Sequence, residues 1–275
     1  MSETSPIDPF TPAIHLIYAP PSLEFPTDES LAESLTISDP GLDPQSIHLT
    51  RSMDNPNRFL GELRFSDQRV QIAGLPNPLP LEIINRTIHV SPWQPQIRAA
   101  MRQHRSHLSL VYAGDSPSPI AQMIALYRAA AALWNENLLG IVNENAWTAH
   151  PPADFLDPDH LAAYQDHLPF ILWIGYVKFY LDRERYWLVT KGHHIFDVPD
   201  LASLVTNAAE EENTINRFTE IFYYIYENDV AVVAGDSLEL ASSGEKLALG
   251  EVTEHPDWLM GPSGTLVVSP LKKEN

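Results

Sequence analysis

Two adjacent histidines, His193 and His194, directly follow an apolar stretch and are the first place to look for chemistry. An imidazole can ligate a metal or move a proton near neutral pH. Neighbouring side chains on an extended chain point to opposite faces, so both cannot easily serve one ion. One of them would need a distant partner, and His167, Glu210 and Asp197 are the candidates. No H-x-x-x-H or H-E-x-x-H spacing accompanies them, and a loop or core-edge role is expected for the pair. A second constellation is Arg98, Arg102 and Arg105, spaced i, i+4, i+7 with His104 and His107 nearby. It could hold an anion or an acidic partner. The plainer expectation is a solvated helix face paired with the protein's own carboxylates. Glu210-Glu211-Glu212, with Glu220 and Asp229 beyond, could attract a hard cation or a basic partner. No calcium-loop spacing goes with them, so they are expected to solvate a helix end.

Composition narrows the classes. Against 17 basic side chains stand 36 acidic ones, a formal net charge of −19 over 275 residues. That field opposes nucleic acid and anionic membrane surfaces, favours a soluble protein and leaves basic partners possible. With no cysteine, disulfides, thiolate metal sites and a cysteine nucleophile are excluded, which fits a cytoplasmic protein. No G-x-S-x-G, G-x-G-x-x-G or P-loop pattern occurs, and neither a cofactor nor a metal is expected. The polar, acidic start MSETSPIDPFTP is not expected to be a signal peptide. The longest apolar run, 168–177, is too short to span a bilayer.

The elements that must position these groups are organised around residues 168–192. Residues 170–181 start apolar on both faces and turn polar at Lys178 and Asp182, as a strand buried on both sides at one end would. Asp182-Arg183-Glu184-Arg185 reads as a charged turn and 186–190, YWLVT, as the returning strand. Trp173 and Trp187 fall on facing strands, where core packing is expected. Upstream, strands are expected at 14–18, 46–51, 59–65, 69–73 and 107–112. Helices are expected from Thr27, an N-cap, to about 35, at 81–88 and at 96–104. Ser118-Pro119 opens a helix carrying Ile120, Met123, Ile124, Tyr127, Ala131 and Trp134 at helical spacing. A strand at 139–142 and a helix at 157–164 follow. After the hairpin, Asp197 is expected to cap a helix bearing Leu201, Leu204, Val205 and Ala208. The run 210–212 breaks it, and Ile215, Phe218, Ile221, Phe222 and Ile225 form a further amphipathic face. Residues 230–234 read as a buried strand, with short strands at 237–240, 246–249 and 265–268.

Element order therefore suggests an α+β protein built of two ferredoxin-like βαββαβ-type units in tandem, antiparallel sheets covered by helices. The domains expected are a disordered lead-in 1–12, a first unit 13–114, a connecting helix 115–136, and a second unit 137–275 with a C-terminal β extension.

The stretch LWIGYVKFY…YWLVTKGHHIFDVPDL, with the helix Ala129-Ala130-Ala131-Ala132-Leu133-Trp134 and the strand to Gly140, resembles the bacterial domain of unknown function 4261 family. The resemblance covers about residues 117–240. His193-His194-Ile195-Phe196-Asp197 stands where that family continues with Leu and a Phe-Gly pair. It implies a bacterial cytoplasmic α+β protein and no particular chemistry.

Two functional expectations result. The first is a non-enzymatic protein–protein interaction module presenting an acidic surface. The second is an enzyme or small-ligand binder with a cleft between the two units, using His193 or His194 and nearby carboxylates. An exposed edge strand in either unit would also allow a homodimer.

Overall fold

The computed structural model describes residues 10–20, 25–55, 58–156 and 168–271. The helix expected at 157–164, His167 and most of the lead-in lie outside them. The chain is an α+β protein that divides into two compact units, Met1–Trp173 and Ile174–Asn275. Among the described residues, no helix is long and apolar enough to cross a membrane.

The first unit is built on β1 (Ala13–Tyr18), β2 (His48–Asn55), β3 (Arg58–Phe65), β4 (Gln68–Leu75), β5 (Ser106–Tyr112), β6 (Leu138–Asn143) and β7 (Thr148–His150). They form one sheet in the order β2-β3-β4-β5-β1-β6-β7, with neighbouring strands antiparallel. Helices α1 (Asp28–Ser38), α2 (Leu81–Arg86), α3 (Pro95–Arg102), α4 (Pro119–Ala132) and α5 (Phe170–Trp173) complete it. Thr27 and Ser118 cap α1 and α4 through their hydroxyls, as their positions predict. Helix α4 packs on α1 and over β1, β4 and β5, burying nearly every residue from Met123 to Ala132. It is therefore part of the first unit rather than a connector, because β6, which follows it, pairs with β1. On the sheet's other face, α2 and α3 cover only the β1–β6–β7 end, where Ile84, Ile88 and Met101 pack on Ile17, Val142 and Ala149.

The second unit contains β8 (Gly175–Tyr180), β9 (Tyr186–Lys191), β10 (Asp200–Val205), α6 (Glu211–Asn228), β11 (Ser237–Glu239), β12 (Lys246–Gly250), α7 (Pro256–Leu259) and β13 (Thr265–Pro270). Its sheet runs β11-β12-β13-β10-β9-β8, with β10 and β13 parallel. The hairpin β8–β9 forms around the predicted turn, where Asp182 accepts from the Glu184 and Arg185 amides. Its first strand begins at Gly175, however, because Phe170–Trp173 closes into a helical turn.

Three further expectations are corrected. The helix predicted after Asp197 is strand β10, which pairs with β9 on one side and β13 on the other. Residues 230–234 join no ladder and stand half-buried to exposed. Glu211 and Glu212 open α6 instead of breaking a helix, where acidic side chains suit the positive end of the helix dipole. The second unit thus runs β-β-β-α-β-β-β, with a short helical turn before its last strand. Together with the seven-stranded first sheet, this differs from the βαββαβ order of the ferredoxin-like units expected.

Candidate functional site

His193 and His194 sit in a short 3-10 turn, His193–Phe196, directly after β9, and both are buried. The His193 Nδ1–H donates to the Pro199 carbonyl at 3.0 Å, and its ring lies 5.0 Å from that of Phe222. Burial pushes its imidazole down to about 4, against the pull of that hydrogen bond. A neutral ring locked to a backbone carbonyl inside its own unit is a structural histidine. Asp197 is exposed, ends the turn in a left-handed conformation (φ 57°) and caps no helix.

The arginine cluster lies in the first unit and is solvent-facing. Arg98 donates to the His89 carbonyl and Arg102 to the His89 ring. Among the described residues none of Arg98, Arg102 and Arg105 has a carboxylate partner, contrary to the ion pairing expected of that face. His104 and His107 turn inward. The Leu79 amide donates to His104 Nε2 while Nδ1–H donates to the Met101 carbonyl, and burial lowers both histidines, His107 to about 4.

The buried polar group that sequence reading missed is Lys191 with Asp200, at the adjoining ends of β9 and β10. They are 2 % and 1 % exposed, and Nζ lies 3.9 Å from Asp200 Oδ2. Lys191 also donates to the Leu259 and Met260 carbonyls at 2.9 and 3.1 Å. The other carboxylate oxygen receives the His193 amide at 3.4 Å and the Thr190 hydroxyl at 3.5 Å. Such long contacts compensate poorly for lost water, and burial pushes the Asp200 carboxyl up to about 7. Burial also lowers Lys191. The pair joins β9, β10 and the segment before β13.

Gly261 closes over this carboxylate. A Cβ there would stand 2.0 Å from Asp200 Oδ2 and 2.9 Å from its Cγ. Gly261→Ala is expected to displace Asp200 from Lys191 and to cost about 1–3 kcal/mol, the range for overpacking a filled interior. Urea unfolding of the two proteins side by side measures it, and an unchanged midpoint would refute the close approach.

The largest concave surface among those defined in the second unit is a groove of about 720 Å³ between α6, residues 230–232 and β11. Helix α6 makes it by its amphipathicity. Phe218, Ile221, Phe222 and Ile225 are buried, which leaves Glu220, Tyr223, Tyr224 and Glu227 along the groove wall. Asp229, at φ 50°, ends the helix and turns the chain back along it. Asp236 and Glu239 supply carboxylates from the opposite side, and among the described residues no Lys, Arg or His lines the groove. Ser242 donates its amide and hydroxyl to Glu220, holding that carboxyl low and ionised. Glu239 is partly offset by Lys246 at 3.6 Å. Among the described residues strand β11 is a sheet edge, paired only with β12. An acidic, tyrosine-walled groove beside an open strand edge can take cationic side chains through carboxylates and ring faces, and backbone through the edge. It gathers no nucleophile and base. Of its residues only Glu220 was singled out in the sequence. The signal for the rest was the polar flank of the amphipathic α6.

No protein-family model, curated protein or solved structure matches this chain.

Proposed function

We propose that the second unit of this protein is an interaction module that docks an extended, basic segment of a partner protein in its acidic groove. The observation that carries the reading is the groove lining, with Glu220, Glu227, Asp236 and Glu239 and no basic residue among those described, in a chain of net charge −19. Charge complementarity of this kind raises association rates and selects partners. The edge of β11 offers main-chain pairing that does not depend on partner sequence, and Tyr223 and Tyr224 offer ring faces to Lys or Arg. The absence of cysteine supports a cytoplasmic setting. The resemblance of residues 117–240 to domain of unknown function 4261 is kept as a proposal of kinship and carries no activity.

A fluorescently labelled Lys-Ala repeat peptide tests this. It is expected to bind the intact protein and to weaken as salt is added, since screening shortens the reach of exposed charges. The double reversal Glu220→Lys/Glu227→Lys should weaken it by about tenfold or more, because juxtaposed like charges cost several kcal/mol. The reversal Asp28→Lys/Glu29→Lys, in the first unit, changes net charge equally and should leave binding nearly unaltered. If both double variants weaken the peptide alike, binding follows net charge and the groove is not the site.

A further inference from the structure

The half-covered face of the first sheet carries a different arrangement. His15 on β1 and Ser109 on β5 are directly opposed in register, so their side chains leave the same face. Ser109 Oγ lies 2.9 Å from His15 Nδ1, and His15 Nε2 lies 3.5 Å from Glu144 Oε2. The other oxygen of Glu144 is held by the Arg86 guanidinium on α2. The hydrogen bond from His15, together with Arg86, keeps the Glu144 carboxyl below its ordinary range against the effect of burial. An ionised Glu144 takes the proton-bearing Nε2, which leaves the Nδ1 lone pair facing the Ser109 hydroxyl. A hydroxyl, an imidazole and an orienting carboxylate stand in contact order, with the two ring nitrogens exchanged relative to the usual serine triad.

Access follows from how the helices cover the sheet. Helices α2 and α3 pack on the β1–β6–β7 end. Toward β3 and β4 no described element closes the same face. Ser109, Ala73 and Val111 are half-buried, while Gln71 and Arg64 are exposed. Ala73 is the register partner of Ser109, so a small side chain borders the hydroxyl. His107, whose ring meets that of His15 edge-on at 6.2 Å, donates its Nδ1–H to the Asn77 carbonyl.

We propose that Ser109 is a nucleophile, with His15 as its general base, for acyl transfer from small carboxylic esters to water. Ser109 Oγ adds to the ester carbonyl carbon as its proton passes to His15 Nδ1. The bond to the alcohol oxygen then breaks, and the leaving oxygen takes that proton from His15. Water adds to the acyl-serine, giving a proton to Nδ1. The bond to Ser109 Oγ breaks, Oγ recovers that proton, and the carboxylic acid departs. Glu144 and Arg86 are positioning residues that fix the imidazole. This activity is independent of docking in the second unit.

The test is labelling of the full chain with a fluorophosphonate, located by peptide mass spectrometry, beside hydrolysis of p-nitrophenyl acetate. Label on Ser109 is expected, with none in Ser109→Ala. The His15→Gln exchange should slow labelling by about 10²-fold or more, the usual worth of a positioned base. The Glu144→Gln exchange should slow it by about tenfold, with Glu144→Asp recovering part at unchanged melting temperature. Because the chain has no cysteine, Ser109→Cys supplies a single thiol. An imidazole base beside it should make iodoacetamide alkylation about tenfold faster than that of a free thiol. Failure of the probe to label Ser109, an equal rate in His15→Gln, or alkylation no faster than a free thiol would each overturn the proposal.

Discussion

The Lys191→Met exchange is expected to destabilise the second unit by about 3–5 kcal/mol above pH 7, the cost of leaving one partner of a buried pair charged and alone. The loss should shrink toward pH 5. Asp200 is 1 % exposed and its Oδ2 has no hydrogen bond among the described residues, only the ammonium of Lys191 at 3.9 Å. Without that ammonium the carboxyl can remain buried only by taking a proton. Its folded value is already raised to about 7, against about 3.9 in an unfolded chain. The folded state therefore holds a proton that the unfolded state releases between about pH 4 and pH 7. Stability from this group is full at the acid end and is lost as pH rises through that window. Removing Lys191 deepens the loss at the alkaline end. Loss of the hydrogen bonds from Lys191 to the Leu259 and Met260 carbonyls adds a part that does not vary with pH. Lys191→Met/Asp200→Asn, which removes both charges, should recover most of the pH-dependent part. Urea unfolding at pH 5 and pH 8, followed through amide exchange in β9 and β10, measures all three proteins. Equal losses at the two pH values would mean that Asp200 and Lys191 do not share a charge.

The Phe222→Ala exchange is expected to cost about 3–5 kcal/mol, the range for truncating a fully buried phenylalanine. The Phe222 ring is 1 % exposed. It is stacked on Tyr226 at 5.6 Å, meets Phe196 edge-on at 5.4 Å and lies 5.0 Å from His193. Together with Tyr226, which also meets Phe196 edge-on, it is a contact through which α6 holds the 3-10 turn of the two histidines. Its loss should also alter the pH response. His193 is lowered to about 4, against about 6.5 when unfolded, so the unfolded chain binds a proton first and stability falls as pH drops from about 6.5 to 4. A cavity beside the imidazole readmits water and narrows that window. The variant should therefore lose less than the parent on acidification, measured as the difference in urea midpoint between pH 7 and pH 4.5. A pH-independent cost would show that Phe222 does not shield His193.

Asp200 and His193 act in opposite directions over nearly the same pH range. Acidification stabilises through the first and destabilises through the second, and the Asp200 carboxylate itself accepts the His193 amide. Their neighbourhood flattens the pH response of the second unit, which is why single variants are needed to expose either contribution.

Local rules made much of this fold legible. Ser118-Pro119 and Thr27 named the starts of α4 and α1, Asp182–Arg185 named the hairpin tip, and the spacing from Ile215 to Ile225 named the buried side of α6. The sequence misled where pairing is remote. Leu201, Leu204 and Val205 suit a helical spacing, yet their segment is a strand because Asp200 to Ala202 pair in parallel with Thr265 to Val267. No pattern within 198–208 announces that partner. The apolar run 230–234 was expected in a sheet, and it borders grooves instead, because its neighbour after the turn is the short edge strand β11. The histidine pair drew notice as a sequence neighbour pair, and burial makes it structural. Lys191 and Asp200 are nine positions apart with no motif to link them, and the β9–β10 register brings them together. His15 and Ser109 are 94 positions apart and meet only through the β1–β5 register, so no local spacing could have paired them.

The parallel pairing of β10 with β13 also orders events during folding. The carbonyls that receive the Lys191 ammonium are 68 and 69 residues further along the chain. A large loop must therefore close before that charge can leave water, and loop closure of this kind slows the search. The hairpin β8–β9 can pair early from adjacent sequence. During synthesis the sheet stays open at β10 until β13 has emerged, with the lysine hydrated at its end. Burial of Lys191 belongs to the last step of assembly, and the ion pair reports completion of the unit without helping to start it.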